Sequence, residues 1–252
     1  MTARFAIYAA PGTGSADAAG VLLREKAEQW LGRSITGAPV APATPAGWTR
    51  ESVDAITTDA RRYGFHGTLK APFYLTEGRT LEELDAALAR FAAGHPGAVI
   101  PRLSLVRMGA FFALVPGAEA PGLHALADKV VMAFDGFRAP TTDAELARRF
   151  RASLTPRQRE LLGAWGYPYV LDEFRFHLTL TERIPEERQP EVELTLSDWF
   201  AGSLGAAVPV DALALFTEAE PGAPFMLHAV HPLRQAPSPL SAASTTDREG
   251  AR

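Results

Sequence analysis

The sequence predicts an α+β protein in which most strands pair antiparallel. Three observations predict this class. Apolar segments typical of strands are mixed with segments of helical periodicity, without the strict strand–helix alternation of a parallel sheet. Each half of the chain contains a pattern typical of a hairpin, at 99–115 and at 210–232. A short motif occurs once in each half, which indicates two similar lobes.

The first elements follow from apolar periodicity and from the residues that end them. A buried strand is predicted at 5–10, because the apolar run stops at Pro11. Apolar residues at helical spacing predict a helix at 16–32, which ends at Gly32. A second amphipathic helix is predicted at 49–62.

The next elements contain a proline and a capping pattern. The apolar segment 65–75 predicts a strand, which Pro72 interrupts or places at an edge. A helix is predicted at 80–93, because Thr80 followed by Glu83 forms a capping-box pattern. The segments 99–106 and 110–115 then predict the two strands of the first hairpin.

The second half predicts more helix, one further strand and a closing hairpin. Helices are expected at 121–134, 142–151, 156–165 and 197–204, a strand at 174–184, and hairpin strands at 210–216 and 224–232. From Gln235 onward the composition changes to Ser, Ala, Pro, Thr and charged residues, which predicts a disordered tail at 235–252. Residues 1–234 are therefore expected to form one bilobal domain.

Composition excludes several classes of protein and of site. Of 252 residues, 47% are hydrophobic and 21% charged, which excludes a mostly disordered chain. The absence of cysteine excludes disulfides, thiolate–zinc sites and cysteine nucleophiles. A formal net charge of −4 disfavours a long nucleic acid as partner, but a local basic pocket could bind a small anion. No apolar segment approaches the ~20 residues of a membrane span, so we expect no membrane partner. We also expect the protein to be cytoplasmic and monomeric.

A Phe-His-x-Thr-Leu motif begins at Phe65 and again at Phe176. Because side chains alternate along a strand, the polar residues of each copy share one face. These residues are His66, Thr68 and Lys70 in the first copy, and Arg175, His177, Thr179 and Thr181 in the second. A polar row on the central strand of each lobe predicts a cleft between the lobes.

The motif residues suit the opening of a cyclic phosphodiester. One imidazole can take a proton from water while the other gives one to the leaving alkoxide, because free imidazole titrates near pH ~6.5. The hydroxyls of Thr68 and Thr179 can donate to phosphate oxygens, and the cations Lys70 and Arg175 can offset charge there. No metal and no cofactor is predicted, because neither histidine has a carboxylate or thiolate cluster beside it in the sequence.

The two His-x-Thr motifs and their flanks resemble the 2H phosphoesterase superfamily, and more closely its DUF1045-like branch, which is associated with phosphonate metabolism. The matching segments are 4–11, 61–73, 137–140, 145–150 and 165–183. The resemblance implies two pseudo-symmetric lobes, with mainly antiparallel sheets, outer helices and an active site in the groove between them. It implies a metal-independent hydrolase, a cyclic phosphodiesterase acting on a small phosphorylated sugar or nucleotide, with a ribose cyclic phosphate as one candidate. The segment after Arg183 is expected to supply the last strands of the second lobe.

Several side chains are predicted to bind the substrate, and each has an alternative role. Tyr8 and Tyr63 are expected to contact it, although their rings could serve only as packing. Arg138 is expected to reach a second phosphate. Lys70 could be a solvated strand end, and Arg175 could pair with a neighbouring carboxylate, Asp172 or Glu173. Two other functions remain open at this point: RNA-end processing, and a non-catalytic module that binds a phosphorylated ligand.

Overall fold

A seven-stranded sheet organises the structure, a computed structural model that describes residues 3–14, 17–41, 43–142 and 154–234. In sheet order the strands are β4 (Leu103–Met108), β5 (Phe111–Pro116), β6 (Leu178–Thr179), β2 (Gly67–Phe73), β1 (Arg4–Ala9), β8 (Ala212–Glu218) and β9 (Met226–Pro232). Two further strands, β3 (Ala98–Ile100) and β7 (Val208–Val210), form a separate pair. All these strand pairings are antiparallel, which confirms the α+β class.

Seven α-helices are found in the described residues. They are α1 (Ala18–Leu31), α2 (Arg50–Asp54), α3 (Thr58–Tyr63), α4 (Leu81–Gly94), α5 (Pro121–Ala133), α6 (Pro156–Trp165) and α7 (Gln189–Trp199). The predicted capping box of α4 is confirmed, since Thr80 and Glu83 exchange both hydrogen bonds. The main core lies between the helices and the sheet face that carries Phe5, Ile7 and Ala9. The opposite face, which carries Ala6 and Tyr8, holds a second apolar cluster.

Four predicted elements differ in extent from those observed. The strand predicted at 99–106 is divided into β3, which pairs with β7, and β4, which pairs with β5. The helix predicted at 49–62 is divided into α2 and α3, and in the break the Ile56 carbonyl accepts a hydrogen bond from Glu182 N. The strand predicted at 174–184 is reduced to β6, and residues 174–177 before it have no regular secondary structure. The helix predicted at 197–204 begins earlier, as α7, which has a proline in its first turn.

The expected division of the strands between the two lobes is wrong. The segment after Arg183 does not complete the second lobe, because β8 pairs with β1 and β9 pairs with β8. The first hairpin, β4–β5, joins β6 instead. The physical reason is the burial of β1: residues 6–9 are fully buried, so their backbone groups need strand partners on both edges.

Some predictions concern residues that the structure does not describe. The segment 145–150, the tail 235–252 and nearly all of the helix predicted at 142–151 lie outside the described residues. Within the part of the chain that is described, no helix has the length and apolar character needed to cross a membrane.

Candidate active site

The two His-x-Thr motifs lie side by side at the beginning of β2 and β6, in the centre of the sheet, and each histidine directly precedes its strand. Gly67 of β2 pairs directly with Leu178 of β6. Since the strands are antiparallel, this register places His66 across from Thr179 and Thr68 across from His177. Cross-strand neighbours lie on the same face, so this register is expected to put the four motif side chains on one face, and three of them, His66, Thr68 and Thr179, line one cavity.

Each histidine is held by the same local hydrogen bond. In the first copy, Nδ1 of His66 lies 2.9 Å from the carbonyl oxygen of Gly64. In the second copy, Nδ1 of His177 lies 2.7 Å from the carbonyl oxygen of Arg175. In both copies an Nδ1–H donates to the residue two positions earlier, which leaves Nε2 as the nitrogen available to a ligand. Thr68 Oγ1 lies 3.3 Å from Nε2 of His66.

Glycine makes the first of these hydrogen bonds possible. Gly64 ends α3 with a φ of 75°, a region that favours glycine, and a Cβ there would lie 2.7 Å from Ile35. The chain thereby leaves the helix with the Gly64 carbonyl directed at His66. Gly67 is needed for a different reason, since its Cβ would lie 2.4 Å from the ring of Phe176.

Aromatic rings pack around His66, which is half-buried, as His177 is. The Tyr8 ring is stacked on the imidazole, with ring centroids 3.8 Å apart, and Tyr63 and Phe216 lie at 6.1 and 6.4 Å. Burial lowers the pKa of His66 from 6.5 to about 4, because the charged imidazolium loses solvation there. The Gly64 hydrogen bond opposes that shift, and the neighbouring His177 adds to it. His66 is therefore neutral at neutral pH.

Tyr8 contributes an unusual hydroxyl to the site. The residue is fully buried, its ring contacts both His66 and Phe216, and it lines the cavity beside the histidine. Its Oη has no hydrogen-bond partner among the described residues. Burial raises the pKa of this phenol well above its usual value, so the group stays protonated. A buried donor without a partner is costly, and a bound ligand could satisfy it.

The cavity beside the motifs has a volume of about 280 Å³, close to the lower end of the ~300–1,000 Å³ typical of small-molecule sites. Among the predicted residues, those that line it are Tyr8, Tyr63, His66, Thr68, Thr179 and Thr181. His177 is not part of that lining and lies half-buried beside it, close enough for its charge to affect His66. Asp59 also lines the cavity, at the exposed start of α3. Sequence reasoning missed Asp59, because no motif or spacing connects it to the histidines.

Lys70 does not share the face of His66, so that prediction is wrong. Tyr8 pairs with Thr68, but the next residue of β1, Ile7, pairs with Lys70. One extra residue is thus inserted into β2 after Thr68, and this bulge turns the following side chains over. The ammonium of Lys70 is buried and lies 3.2 Å from Asp135 and 3.3 Å from the carbonyl oxygen of Val131.

Arg138 binds the same carboxylate as Lys70. Its guanidinium donates to both oxygens of Asp135, at 2.8 and 3.1 Å, and to the carbonyl of Ala164 at 3.0 Å. The cation predicted to reach a second phosphate therefore already has an internal partner. Its side chain lines two small cavities near Pro72, and it is not part of the lining of the histidine cavity.

The remaining two predicted residues have contrasting environments. The Thr181 hydroxyl is buried, accepts from Phe112 N at 2.9 Å and donates to the Glu182 carbonyl at 2.8 Å, so the backbone occupies it. Arg175 is exposed and forms no ion pair within the described residues. The alternative partners considered for it are engaged elsewhere: Asp172 pairs with Arg157, and Glu173 accepts from Gln158.

No group of three or more His, Asp or Glu side chains that could hold a metal ion occurs in the described segments. The sequence also contains no cysteine.

Comparison with known proteins connects the chain to one family. A family model described as "Protein of unknown function (DUF1045)" matches residues 68–226. A ribose 1,5-bisphosphate phosphokinase PhnN of Janthinobacterium sp. (strain Marseille) is 38% identical over 230 residues, covering 88% of this chain and 49% of the relative. The protein of the same name from Laribacter hongkongensis (strain HLHK9) is 34% identical over 225 residues, covering 89% and 50%. The chain thus spans about half the length of the curated relatives it matches. Because the family model covers more than half of the chain, this protein belongs to the DUF1045 family.

Proposed function

We propose that this chain is a metal-independent phosphoesterase that opens the cyclic phosphodiester of a small phosphorylated sugar. The observation that carries the proposal is the matched pair of histidines on adjacent strands. Each has Nδ1 fixed by a backbone carbonyl, and each has the threonine of the other motif directly across the strand pair.

The proposed reaction is a hydrolysis. One imidazole removes a proton from water as the water oxygen forms a bond to phosphorus. The bond from phosphorus to one ester oxygen breaks, and the second imidazole protonates that oxygen, which leaves as a hydroxyl group. The product is a phosphomonoester, and solvent exchange restores the protonation of the pair. In this proposal Thr68, Thr179 and the Oη of Tyr8, which has no partner among the described residues, donate to phosphate oxygens, where negative charge increases during the reaction.

Two observations support a ribose phosphate as substrate. The relatives are named for an activity on ribose 1,5-bisphosphate. Opening a cyclic phosphate that bridges two ribose hydroxyls yields a ribose phosphomonoester. Ribose 1,5-bisphosphate likewise carries its phosphates as monoesters of ribose. The second observation is the resemblance of this chain to the DUF1045-like branch, which is associated with phosphonate metabolism and also suggests a phosphorylated sugar. We therefore propose a ribose cyclic phosphate as substrate, in phosphonate metabolism.

The kinase activity in the relatives' name requires a separate explanation. The P-loop that holds nucleotide phosphates in many kinases needs a Gly-Lys pair, and this sequence contains no Gly-Lys dipeptide. The chain also spans only half of each relative. We propose that phosphorylation by a nucleotide belongs to the part of the relatives that this chain does not match.

The test is a substrate panel with the full chain in excess chelator. The panel contains ribose cyclic phosphates, nucleoside 2′,3′-cyclic phosphates, RNA ending in a cyclic phosphate, and ribose 1,5-bisphosphate with ATP. Phosphorus NMR should show a phosphomonoester formed from the ribose cyclic phosphates, and His177→Ala should slow this conversion by roughly 10²–10⁴-fold.

Other outcomes would replace the proposal. Turnover of RNA ends alone would establish RNA-end processing, and binding of cyclic phosphates without turnover would establish a non-catalytic module. ATP-dependent phosphorylation of the bisphosphate would establish a kinase in this chain. Activity that chelation abolishes and a divalent ion restores would exclude the metal-independent mechanism.

A further inference from the structure

We propose that the carboxylate of Asp59 binds a free hydroxyl of the substrate's sugar, and that this contact makes the cavity selective for a sugar cyclic phosphate over a simpler one. This inference rests on the proposed function and deepens it, because it names the group that recognises the sugar. Asp59 lies in the first turn of α3 and lines the same cavity as His66, Thr68 and Thr179.

The polar groups of this cavity favour one orientation of the substrate. Tyr8, Thr68 and Thr179 carry hydroxyls that can donate to phosphate oxygens, whereas the carboxylate of Asp59 can only accept. A carboxylate repels a phosphate group and attracts a hydroxyl donor. The cyclic phosphate is therefore expected to lie beside the motifs, with the sugar directed toward α3.

The Asp59 carboxylate is free to accept from a ligand. Within the described residues it forms no ion pair, and the two arginines that follow it on α3 have other partners. Arg61 pairs with Asp54 at 2.8 Å, and Arg62 donates to the Tyr63 hydroxyl at 2.8 Å. No internal cation thus competes with a sugar hydroxyl for this carboxylate in the part of the chain that is described.

The backbone of Asp59 is anchored to the segment that carries the second motif. The Asp59 amide donates to Oε1 of Glu182 at 3.1 Å, and the Glu182 amide donates to the Ile56 carbonyl at 2.8 Å. Glu182 directly follows Thr181 and lies three residues beyond Thr179 of β6. These contacts fix the start of α3 against the second motif. The fold therefore sets where the carboxylate lies relative to the phosphate-binding hydroxyls, as a preorganised site requires.

The remaining lining suits the carbon skeleton of a sugar. It includes the apolar side chains of Ala60, Ala71 and Pro72 and the rings of Tyr63 and Tyr167. The C–H groups of a sugar can pack on apolar and aromatic surfaces, whereas its hydroxyls need hydrogen-bond partners when water is removed. A ribose directed toward α3 would meet both kinds of surface.

The first experiment compares two substrates that share the reacting group. Ribose cyclic phosphates have free hydroxyls, whereas ethylene phosphate, the cyclic phosphate of ethane-1,2-diol, has none. A hydrogen bond to a charged group corresponds to roughly 10–100-fold in affinity. Asp59→Ala should therefore lower kcat/KM on the ribose compound by roughly that factor, mainly through KM, and leave kcat/KM on ethylene phosphate unchanged.

The ratio of the two kcat/KM values separates recognition of the sugar from a structural role. A wild-type ratio in Asp59→Ala would overturn the inference, whether or not both values fall. Asp59→Asn, which preserves the size of the side chain, repeats the comparison if the alanine variant does not fold. Glu193→Ala is the matched control, since it removes an exposed carboxylate of α7 that is not part of the cavity lining. It should keep the wild-type ratio.

The second experiment does not require turnover. Isothermal titration calorimetry measures the binding of two phosphomonoesters, ribose 2-phosphate and ethyl phosphate, to the wild type and to Asp59→Ala. The variant should bind the ribose ester roughly 10–100-fold more weakly and ethyl phosphate equally well. Equal affinity of both proteins for the ribose ester, or no binding of it by the wild type, would overturn the inference. If the wild type binds the ribose ester through Asp59 but opens no cyclic phosphate, the proposed function fails and this inference stands.

Discussion

The two copies of the motif share a local geometry and differ in what surrounds it. In each copy the histidine binds the carbonyl two residues earlier. Both histidines are half-buried, but His66 packs against Tyr8, Tyr63 and Phe216, whereas the one aromatic ring near His177 among the described residues is that of Phe111. A repeated local sequence can thus set the orientation of a side chain without setting its electrostatics. Neighbouring elements supply the environment that decides whether a histidine carries charge.

The largest expected effect comes from removing either histidine. His66→Ala and His177→Ala should each lower kcat on a ribose cyclic phosphate by roughly 10²–10⁴-fold. The double variant should lose little more than one single variant, because the pair acts as a unit. Steady-state kinetics of the two single variants and the double variant measure this. Multiplied losses in the double variant would contradict a concerted pair. His228→Ala, on β9, is a control that should keep wild-type activity.

Tyr8→Phe separates the stacked ring from its hydroxyl. The variant keeps the ring above His66 and removes only Oη, which has no partner among the described residues. If Oη donates to the substrate phosphate, kcat/KM should fall by up to roughly 10²–10³-fold. Stability should be unchanged or higher, because an unsatisfied buried polar group is destabilising by about 1–3 kcal/mol.

Two measurements on the Tyr8→Phe variant test the prediction. Steady-state kinetics should show the lower kcat/KM, and urea unfolding should show the unchanged or higher stability. Unchanged kcat/KM would show that Oη does not contact the substrate. Tyr63→Phe is the matched control on the other side of His66, where the hydroxyl already has Arg62 as its partner.

The lowered pKa of His66 predicts a pH-dependent stability. The pKa of His66 is about 4 in the folded protein and 6.5 in its model value, so the unfolded chain binds more protons between these values. The free energy of unfolding should therefore fall as the pH drops from about 6.5 to 4, by up to about 3 kcal/mol from this group. Urea unfolding across that range, compared with His66→Gln, isolates the contribution. An identical pH dependence in wild type and variant would contradict it.

The smallest expected effect concerns the central residue of each motif, which is Gly67 in one copy and Leu178 in the other. Gly67→Ala places a methyl group 2.4 Å from the Phe176 ring. Overpacking of this kind is destabilising by about 1–3 kcal/mol, which urea unfolding measures. Gly122→Ala is the control, since its Cβ would meet nothing within 4 Å. In a Phe176→Leu background, Gly67→Ala should lower the free energy of unfolding by less. An equal loss in that background would show that the backbone, and not the Phe176 ring, is the cause.

Local sequence determined several features of this protein. Helix α4 begins where Thr80 and Glu83 form a capping box, and β4 and β5 pair as the predicted hairpin. The polar faces around His66 and His177 follow from strand alternation. These features depend on residues close together in the sequence, where spacing and capping chemistry are sufficient.

The rest of the site depends on contacts between segments that are distant in the sequence. A bulge against Ile7 turned Lys70 toward Asp135, and Tyr8 came to lie on His66 because β1 is the neighbour of β2. Strand β8 likewise lies next to β1, because the buried backbone of β1 needs a hydrogen-bonding partner on its second edge. The physical reason is common to all three. Strand register, sheet order and burial depend on contacts between segments far apart in the chain, and a pattern within one segment carries no information about which partner it will meet.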